Sequence, residues 1–431
     1  MKVKITPSKI NGVINAPASK SSMQRACAAA LLRKGKTFIY NYGLSNDEKS
    51  VIEIIKNLGA RVKFEKDYLL IESNGVNPIS NNINCEESGL AIRMFTPIAA
   101  LTNNEINIEG TGTLTTRPLD FFDTIFPLLQ VKITSNNGKI PLKIKGPLQA
   151  TTIEIDGSIS SQFLTGLLFS FSNYFQNNTI ENPITIKVNN LKSKPYIDLT
   201  LAIMQDFEML LPENINYKEF VFHTDTTMHN KIAENIIYTV EGDWSNGAFL
   251  IVAAAIAGSI TIKGLNIYST QADKKIIEVV KNCGATISFS ENEIFIKQAP
   301  LQAFEFDATD CPDLFPPLVA LAANCKGTSY IKGVHRLLHK ESNRANALQD
   351  EFLKMGVEIN IENDCMKITG AKKIMGATIY SHQDHRIAMA CAVAALNANE
   401  AVCIENAEAV NKSYPNFFKD LELLGAFVKN N

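Results

Sequence analysis

The chain has 431 residues, of which 45% are hydrophobic and 20% are charged, and its formal net charge is -2 at pH 7. This composition is typical of a globular protein, and the length predicts two domains, each with its own core. A net charge near zero excludes a strongly basic surface for nucleic acid or for an anionic membrane. Any charge-driven binding must therefore be local.

The first residues and the cysteines indicate the cellular compartment of the protein. The chain begins with "MKVKITP", a strand-like alternation without the pattern of a signal peptide. Eight cysteines are scattered along the chain without a CxxC pair, which is typical of a reduced compartment, so the cytoplasm is predicted. The apolar run at 247–258 is too short to span a bilayer and predicts a buried helix.

Two kinds of helix alternate along the chain. The first kind is apolar on nearly every side, and such a helix is buried on every side. In chain order its copies are "SSMQRACAAALL", "SGLAIRMFTPIAAL", "SSQFLTGLLFSF", "WSNGAFLIVAAAIAG", "CPDLFPPLVALAANCKG" and "DHRIAMACAVAAL". The second kind has one apolar stripe and generally ends in a glycine turn. Its copies are "SVIEIIKNLGARVKF", "LDFFDTIFPLLQVKI", "IDLTLAIMQDFEM", "DKKIIEVVKNCGATISF", "NALQDEFLKMGVEINI" and "NFFKDLELLGAFV".

Each pair of helices belongs to a repeat of roughly 70 to 80 residues. The order within a repeat is strand, buried helix, strand, amphipathic helix and two strands. Six repeats predict an α/β (α+β) fold of two domains with three βαβαββ units each. In this inside-out α/β barrel, strands wrap around buried helices.

Basic and polar side chains gather at the starts of these helices. A helix start exposes unpaired N–H groups and the positive end of the dipole, so it favours an anion. Several arginines among them imply a substrate with more than one carboxylate or phosphate group. For any single residue the simpler alternatives are a helix cap or a solvated surface charge. The basic residues are Lys20, Arg25, Arg117, Arg344, Arg386 and Lys412.

Two acidic residues, Asp313 and Glu341, lie within this basic set. They are either ion-pair partners or an acid and a base for proton transfer, and the residues alone leave both open. The six histidines show no metal-ligand spacing, and neither HExxH, a Walker A sequence nor GxGxxG occurs. No metal and no cofactor are therefore predicted.

Ten segments, in order from end to end, resemble the EPSP synthase family, the 3-phosphoshikimate 1-carboxyvinyltransferases. Each segment alone is weak evidence for the resemblance. Together, the ten segments occur in the family's order and cover essentially the whole chain. They are "ASKSSMQRACAAALL", "SGLAIRMF", "TTRPLDFF", "SSQFLTGLLFS", "SKPYIDLTLAIM", "VEGDWSNGAFLIVAAA", "CPDLFPPLVALAA", "HKESNRANALQDEF", "DHRIAMACAVAAL" and "NKSYPNFF".

The resemblance implies an architecture and a reaction. Residues 1–18 and 241–431 would form one domain and residues 19–240 the other, with the active site in the cleft between them. The reaction would move the enolpyruvyl group of phosphoenolpyruvate to the 5-hydroxyl of shikimate 3-phosphate, in the shikimate pathway to chorismate and aromatic amino acids. The partners would be these two small anions, no cofactor would be needed, and the protein would be a monomer.

The resemblance also implies roles for single residues. Asp313 would take the proton of the 5-hydroxyl, Glu341 would protonate the methylene carbon, and Lys20 would reach both substrates as a third catalytic residue. Shikimate 3-phosphate would be bound by Lys20, Ser21, Arg25, Ser160, Ser161, Gln162, Ser193, Tyr196, Asp313 and Lys340. Phosphoenolpyruvate would be bound by Lys20, Gly89, Arg117, Gln162, Arg344, Arg386 and Lys412.

One departure and two alternatives accompany this interpretation. Many family members have Asn-Ala-Gly-Thr where this chain has residues 87–90, so Glu87 and Leu90 would stand beside the phosphoenolpyruvate site. UDP-N-acetylglucosamine 1-carboxyvinyltransferase, an enzyme of the same fold, has asparagine where Arg25 stands. A non-catalytic anion-binding protein would be expected to lack Asp313, Glu341 or Lys20, and all three are present.

Overall fold

The structure is a computed structural model that describes residues 1–223, 234–290, 293–338, 340–371 and 373–430. The chain divides into two compact units, one formed by Met1–Pro17 with Glu241–Asn431 and the other by Ala18–Val240.

Twelve α-helices lie in the described ranges. Odd numbers belong to the apolar kind of helix and even numbers to the amphipathic kind. The helices are α1 (Lys20–Leu32), α2 (Asn46–Asn57), α3 (Gly89–Ala99), α4 (Asp120–Leu128), α5 (Ser161–Asn177), α6 (Lys194–Asp206), α7 (Trp244–Ala257), α8 (Ile276–Asn282), α9 (Phe315–Ala323), α10 (Arg344–Lys354), α11 (His385–Ala395) and α12 (Phe417–Leu423).

The described part of the chain also contains 24 strands. They are β1 (Lys2–Thr6), β2 (Ile10–Asn15), β3 (Lys34–Tyr40), β4 (Arg61–Phe64), β5 (Tyr68–Asn74), β6 (Asn82–Asn84), β7 (Glu105–Glu109), β8 (Lys132–Thr134), β9 (Leu142–Lys145), β10 (Ile153–Asp156), β11 (Ile184–Asn189), β12 (Glu213–Ile215), β13 (Glu219–Phe222), β14 (Asn235–Thr239), β15 (Gly258–Lys263), β16 (Thr286–Ser290), β17 (Glu293–Lys297), β18 (Glu305–Asp307), β19 (Thr328–Lys332), β20 (Glu358–Glu362), β21 (Cys365–Thr369), β22 (Thr378–Tyr380), β23 (Val402–Glu405) and β24 (Phe427–Asn430).

These strands form six four-stranded sheets of one topology among the described residues. In the sheet β6-β7-β9-β8, for example, the first two strands are parallel and the other neighbours are antiparallel. With two helices for each sheet, this arrangement confirms the six βαβαββ repeats. Three repeats join distant segments, since β14 pairs with β3, β2 with β15, and β1 with both β23 and β24.

The apolar helices form the interior of each unit. Every residue of α7 is buried, and α7, α9 and α11 contact one another, as do α1, α3 and α5 in the other unit. Strands such as β1 alternate exposed and buried residues, so one face of the sheet covers the helices. Each Leu, Ile or Phe buried in this way contributes about 1.5–3 kcal/mol of transfer free energy. None of the helices in the described ranges has the length and hydropathy needed to cross a bilayer.

The amphipathic helices bury a single stripe, as α2 illustrates. Val51, Ile54, Ile55 and Leu58 are fully buried at the predicted spacing. The next residue, Gly59, has a left-handed φ of 112°, and a Cβ there would overlap the backbone of the segment before β6. Glycine therefore ends this helix as the sequence predicts.

Candidate active site

The predicted site residues form two sets, one on each unit, and nearly all lie at or just before a helix start. The serine set, on the unit Ala18–Val240, comprises Lys20, Ser21, Arg25, Gly89, Arg117, Ser160, Ser161, Gln162, Ser193 and Tyr196. The carboxylate set, on the other unit, comprises Asp313, Lys340, Glu341, Arg344, Arg386 and Lys412.

Lys20 is the first residue of α1, which Ser19 caps by accepting a hydrogen bond from the Ser22 amide at 3.3 Å. The Lys20 ammonium lies 2.8 Å from a carboxylate oxygen of Asp47, at the start of α2. This partner was missed in the sequence, because an aspartate in the first turn of a helix is usually explained by the helix dipole. The ion pair holds the Lys20 side chain against α2.

Arg25 ties α1 to α6 from within the core. Its side chain is 1% exposed, and its guanidinium donates to the Thr200 hydroxyl at 2.9 Å and the Ser21 carbonyl at 2.9 Å. A third, longer hydrogen bond reaches the carbonyl of Tyr196 at 3.5 Å. Burial lowers the pKa of Arg25 to about 10. A buried cation that donates to neutral oxygens is suited to receive an anion, whose charge offsets the desolvation cost.

Gly89 and Arg117 share the start of α3. Ser88 caps the helix through the Ala91 amide at 3.3 Å, and Gly89 is the first helical residue. A Cβ on Gly89 would overlap the guanidinium of Arg117, which is itself nearly buried. The absence of a side chain therefore lets the arginine lie over the positive end of α3, where an anion meets both charges.

Arg93, to which the sequence assigned no role, positions Gln162 at the start of α5. Its guanidinium donates to the Gln162 side-chain oxygen at 2.9 Å and lies 5.2 Å from the ring centroid of Phe163. Ser160 accepts a hydrogen bond from the Gln162 amide at 3.2 Å, so this serine acts as a helix cap. A buried arginine within an apolar helix was the available signal.

Ser193 and Tyr196 begin α6. Ser193 has a left-handed φ of 56°, which is uncommon for a residue other than glycine, and its side chain does not cap the helix that follows. Its conformation turns the chain sharply into the helix. The same turn presents the Tyr196 carbonyl to Arg25. The starts of α1 and α6 are therefore in direct contact.

Asp313 is the centre of the carboxylate set. Sequence reasoning placed it at the start of a buried helix, and it lies in a 3-10 turn, Pro312–Leu314, just before α9. One carboxylate oxygen is 2.8 Å from Arg344 and 3.2 Å from Lys340, and the other is 3.1 Å from Arg386. A single carboxylate thus contacts three of the predicted anion-binding cations.

Arg344, 1% exposed, binds two further carboxylates. Its Nε lies 2.7 Å from Asp384 Oδ2 and its Nη2 lies 3.3 Å from Asp384 Oδ1. The same Nη2 donates to Glu341. Three cations and three carboxylates are therefore brought together, and their formal charges balance.

The neighbours of Asp313 control its basicity. Burial by itself raises the pKa of Asp313, but Arg386, Lys340 and Arg344 outweigh it and hold the pKa well below the usual value of 3.8. Burial lowers the pKa of Lys340, against the effect of Asp313. At neutral pH the Asp313 carboxylate is ionised and can accept a proton, but it is a weak base while all three cations face it.

Lys412 lies on the same unit, at the end of the 3-10 helix Ala407–Lys412, and is nearly buried. The next residue, Ser413, accepts a hydrogen bond from the Asn246 side chain at 3.1 Å. Asp243 caps α7 by accepting from the Asn246 amide at 2.7 Å. The start of α7 therefore anchors the segment that carries Lys412.

Asp273 is a buried acid near this set that the sequence did not single out. The Ser245 hydroxyl donates to it, and burial together with Asp313 raises its pKa to about 7, against the opposing effect of Arg386. Its position in "ADKK", at a 3-10 turn before α8, is typical of a surface acid. No three His, Cys, Asp or Glu side chains of the described residues are arranged to hold a metal ion.

The raised pKa of Asp273 predicts a pH-dependent stability difference. Between about pH 4 and pH 7 the folded state binds a proton that the unfolded state has lost, so this group's contribution to stability falls as pH rises. We expect Asp273→Asn to match the wild-type free energy of unfolding near pH 4 and to exceed it by a few kcal/mol at pH 8. Urea unfolding at both pH values measures this, and an equal difference at both would contradict it.

Comparison with solved structures defines the fold. EPSP synthase from Acinetobacter baumannii superposes with a TM-score of 0.80 at 22% identity and covers 100% of both chains. The enolpyruvyl transferase NikO from Streptomyces tendae gives a TM-score of 0.78 at 15% identity, covering 100% of this chain and 98% of that one. The fold is thus that of the enolpyruvyl transferases.

Sequence comparison identifies the family. The EPSP synthase model (3-phosphoshikimate 1-carboxyvinyltransferase) matches residues 5–421. Relatives called 3-phosphoshikimate 1-carboxyvinyltransferase include one from Clostridium perfringens, 38% identical over 99% of both chains. Another, from Clostridium novyi, is 36% identical over 99% of this chain and 98% of its own. The chain belongs to the EPSP synthase family.

Proposed function

We propose that the chain transfers the enolpyruvyl group of phosphoenolpyruvate to the 5-hydroxyl of shikimate 3-phosphate, releasing phosphate, in the shikimate pathway to chorismate and aromatic amino acids. Family membership supports this reaction. The structural observation that carries it is the contact of Asp313 with Lys340, Arg344 and Arg386, which joins a base to the cations that two anionic substrates require.

The proton transfers follow from the chemistry of the substrates. Asp313 accepts the proton of the 5-hydroxyl as the hydroxyl oxygen attacks C2 of phosphoenolpyruvate, and Glu341, in its protonated form, donates a proton to the methylene carbon C3. C2 is a poor electrophile until C3 is protonated, so acid and base act together. The tetrahedral adduct then returns a methyl proton to Glu341 while Asp313 gives its proton to the departing phosphate, and breaking the C–O bond to phosphate restores the double bond.

Substrate binding can activate the base. Arg344 and Arg386 contact Asp313 and are also the cations that would bind phosphoenolpyruvate. Once they face the substrate's carboxylate and phosphate, less positive charge stabilises ionised Asp313, and its pKa rises towards that of a useful base. The same cations then stabilise the departing phosphate.

We propose that both sets act on the same two substrates. Buried Arg25, with its neutral acceptors, supports a phosphate site at the starts of α1, α5 and α6. Shikimate 3-phosphate would contact Lys20, Ser21, Arg25, Ser160, Ser161, Gln162, Ser193, Tyr196, Asp313 and Lys340. Phosphoenolpyruvate would contact Lys20, Gly89, Arg117, Gln162, Arg344, Arg386 and Lys412.

Phosphate release from phosphoenolpyruvate tests this function. Release that depends on shikimate 3-phosphate is expected. Release that depends instead on UDP-N-acetylglucosamine would identify the other carboxyvinyltransferase of this fold. Binding of both anions without release would indicate a non-catalytic anion-binding protein.

Gly89→Ala tests the proposed contact between Arg117 and phosphoenolpyruvate. The added methyl group overlaps the Arg117 guanidinium, which must move away from the start of α3. We expect the KM for phosphoenolpyruvate to rise about tenfold, equivalent to about 1.4 kcal/mol of binding, and the KM for shikimate 3-phosphate to change little. Initial rates with each substrate varied measure this. An equal rise in both constants would point instead to a distorted α3.

We also propose that the chain acts as a monomer in the cytoplasm. All eight cysteines are free thiols, and most are buried, which is typical of a protein in a reduced compartment. Light scattering coupled to size exclusion should give a mass near 47.5 kDa. Twice that mass would contradict the monomer, and fractionation of cells tests the compartment.

A further inference from the structure

We propose that Asp384 is a positioning residue that sets the orientation of Arg344 and Arg386 together for phosphoenolpyruvate. This inference rests on the proposed function and adds a residue that sequence reasoning did not assign to the site. It starts from the place of Asp384 in the fold. This fully buried carboxylate lies between the loop after β22 and helix α11.

The two oxygens of the Asp384 carboxylate accept hydrogen bonds from both arginines. Oδ1 accepts a hydrogen bond from the Arg386 amide at 2.9 Å, which caps α11 and places Arg386 in its first turn. Oδ2 accepts from Arg344 Nε at 2.7 Å and from the Ser342 hydroxyl at 3.1 Å. One side chain thus holds the backbone of one arginine and the guanidinium of the other.

Asp384 contacts one edge of the Arg344 guanidinium, so another edge is left to bind substrate. Asp384 contacts Nε and Nη2, along the side of the guanidinium. The end of the fork, formed by Nη1 and Nη2, faces Asp313 and Glu341. Asp313 and Glu341 belong to the proposed proton-transfer machinery. A substrate carboxylate can therefore replace them as the partner of Nη1 and Nη2. A guanidinium held by its side can offer two parallel N–H groups to a carboxylate.

The loop before Asp384 is held in an unfavourable conformation. His382 and Gln383 have left-handed φ values of 54° and 56°, which residues other than glycine seldom adopt. Glu351 accepts hydrogen bonds from the Tyr380 amide at 3.0 Å and lies 2.7 Å from His382 Nε2. Such strain persists where surrounding contacts over-determine the backbone, and it clusters at functional sites.

Glu351 and Arg344 lie on the same helix, α10. Helix α10 therefore contacts the loop through Glu351 near its C-terminal end. It contacts Asp384 through Arg344 at its N-terminal end. The two contacts fix the register of α10 against the start of α11. If Asp384 served only as a helix cap, asparagine or serine would serve equally well, and the contact with Arg344 would not be needed.

Asp384→Asn separates capping from positioning. Asparagine keeps an acceptor for the Arg386 amide but loses the charge and one of the two acceptors that face Arg344. We expect the Tm to fall, but by less than in Arg344→Gln, because asparagine keeps the cap and Arg344 keeps Asp313 and Glu341. The dissociation constant for phosphoenolpyruvate should rise about 30-fold, and that for shikimate 3-phosphate should change less than about threefold. Asp420→Asn, another carboxylate of this unit, whose oxygen accepts from Tyr414 at 2.6 Å, is the matched control and should leave both constants unchanged.

Calorimetric binding to the full chain is the readout, so the test does not depend on turnover. If the wild type binds both anions without phosphate release, the proposed function fails while the role of Asp384 is still measured. Unchanged phosphoenolpyruvate binding by Asp384→Asn would overturn the proposal. So would equal losses for both anions accompanied by a large fall in Tm, because that is the result of a general structural role.

Arg344→Lys shows whether Asp384 acts through Arg344. In that background, adding Asp384→Asn should weaken phosphoenolpyruvate binding by less than about threefold, since the oriented fork is already lost. A full further loss would contradict action through Arg344. If Asp384→Asn does not fold, Ser342→Ala removes only the hydroxyl contact to Asp384 and should weaken phosphoenolpyruvate binding a few-fold. An unchanged constant for that variant would then count against the proposal.

Discussion

Asp313→Asn is expected to lower the turnover number by roughly 10² or more while the affinity for shikimate 3-phosphate stays within about tenfold. The asparagine side chain cannot accept the 5-hydroxyl proton, but it keeps the size and one oxygen of the aspartate. Single-turnover kinetics with both substrates, followed by phosphate release, measure the change in the chemical step. An unchanged rate would remove Asp313 from proton transfer.

The same substitution should not weaken phosphoenolpyruvate binding. The Asp313 carboxylate contacts Lys340, Arg344 and Arg386, so it competes with an anion for these cations. Asparagine removes that competitor, and equal or tighter binding is expected. Asp307→Asn, an exposed aspartate six residues earlier, is the control and should leave turnover unchanged. Weaker phosphoenolpyruvate binding in Asp313→Asn would show that the carboxylate aligns the cations rather than competing for them.

Arg344→Gln is expected to destabilise the protein by about 3–5 kcal/mol at pH 8, because removing one member of a buried ion-pair network leaves charges uncompensated. Asp384, Glu341 and Asp313 would then face one another without the cation that binds all three. Phosphoenolpyruvate binding should fall by roughly 10² or more, since the bidentate contact is lost. Arg344→Lys keeps the charge and should recover much of the stability but little of the binding.

The stability loss in Arg344→Gln should depend on pH. In the wild type, the depressed pKa of Asp313 contributes stability above pH 3.8 that is lost as pH falls through its folded value. In the variant, only Lys340 and Arg386 still lower the pKa of Asp313, so the pKa is depressed less and part of this stability is missing. The difference between the proteins should therefore be largest at pH 8 and smaller at about pH 2.5, below the usual carboxylate pKa. Urea unfolding at both pH values checks this, and a constant difference would contradict it.

The contacts within the carboxylate set indicate that the basic and polar residues at helix starts do more than cap the helices. Asp384 does cap α11, and Ser160 and Ser88 cap α5 and α3, as the simpler alternative expects. Arg344 and Asp313, however, are joined by side-chain contacts that no cap requires. Capping and anion binding use the same exposed N–H groups, so one site can serve both purposes.

The amino-acid sequence by itself determined the repeat and its interior. Helices that are apolar on every side can lie only inside, and helices with one stripe can lie only at the boundary of the core, so their alternation gives six βαβαββ units. The ten motifs in order then led to the family, to the anionic substrates and to most of the residues of both sets. These signals are local, since each depends on residues within one or two turns of a helix.

Only the tertiary structure decided which side chains meet. Asp384 lies 40 residues from Arg344, Asp47 lies 27 from Lys20, and Arg93 lies 69 from Gln162, so no sequence spacing relates them. The strands β1, β2 and β14 likewise join repeats that are distant along the chain. Hydrogen bonds and ion pairs depend on separations of about 3 Å, and packing between distant elements sets those separations.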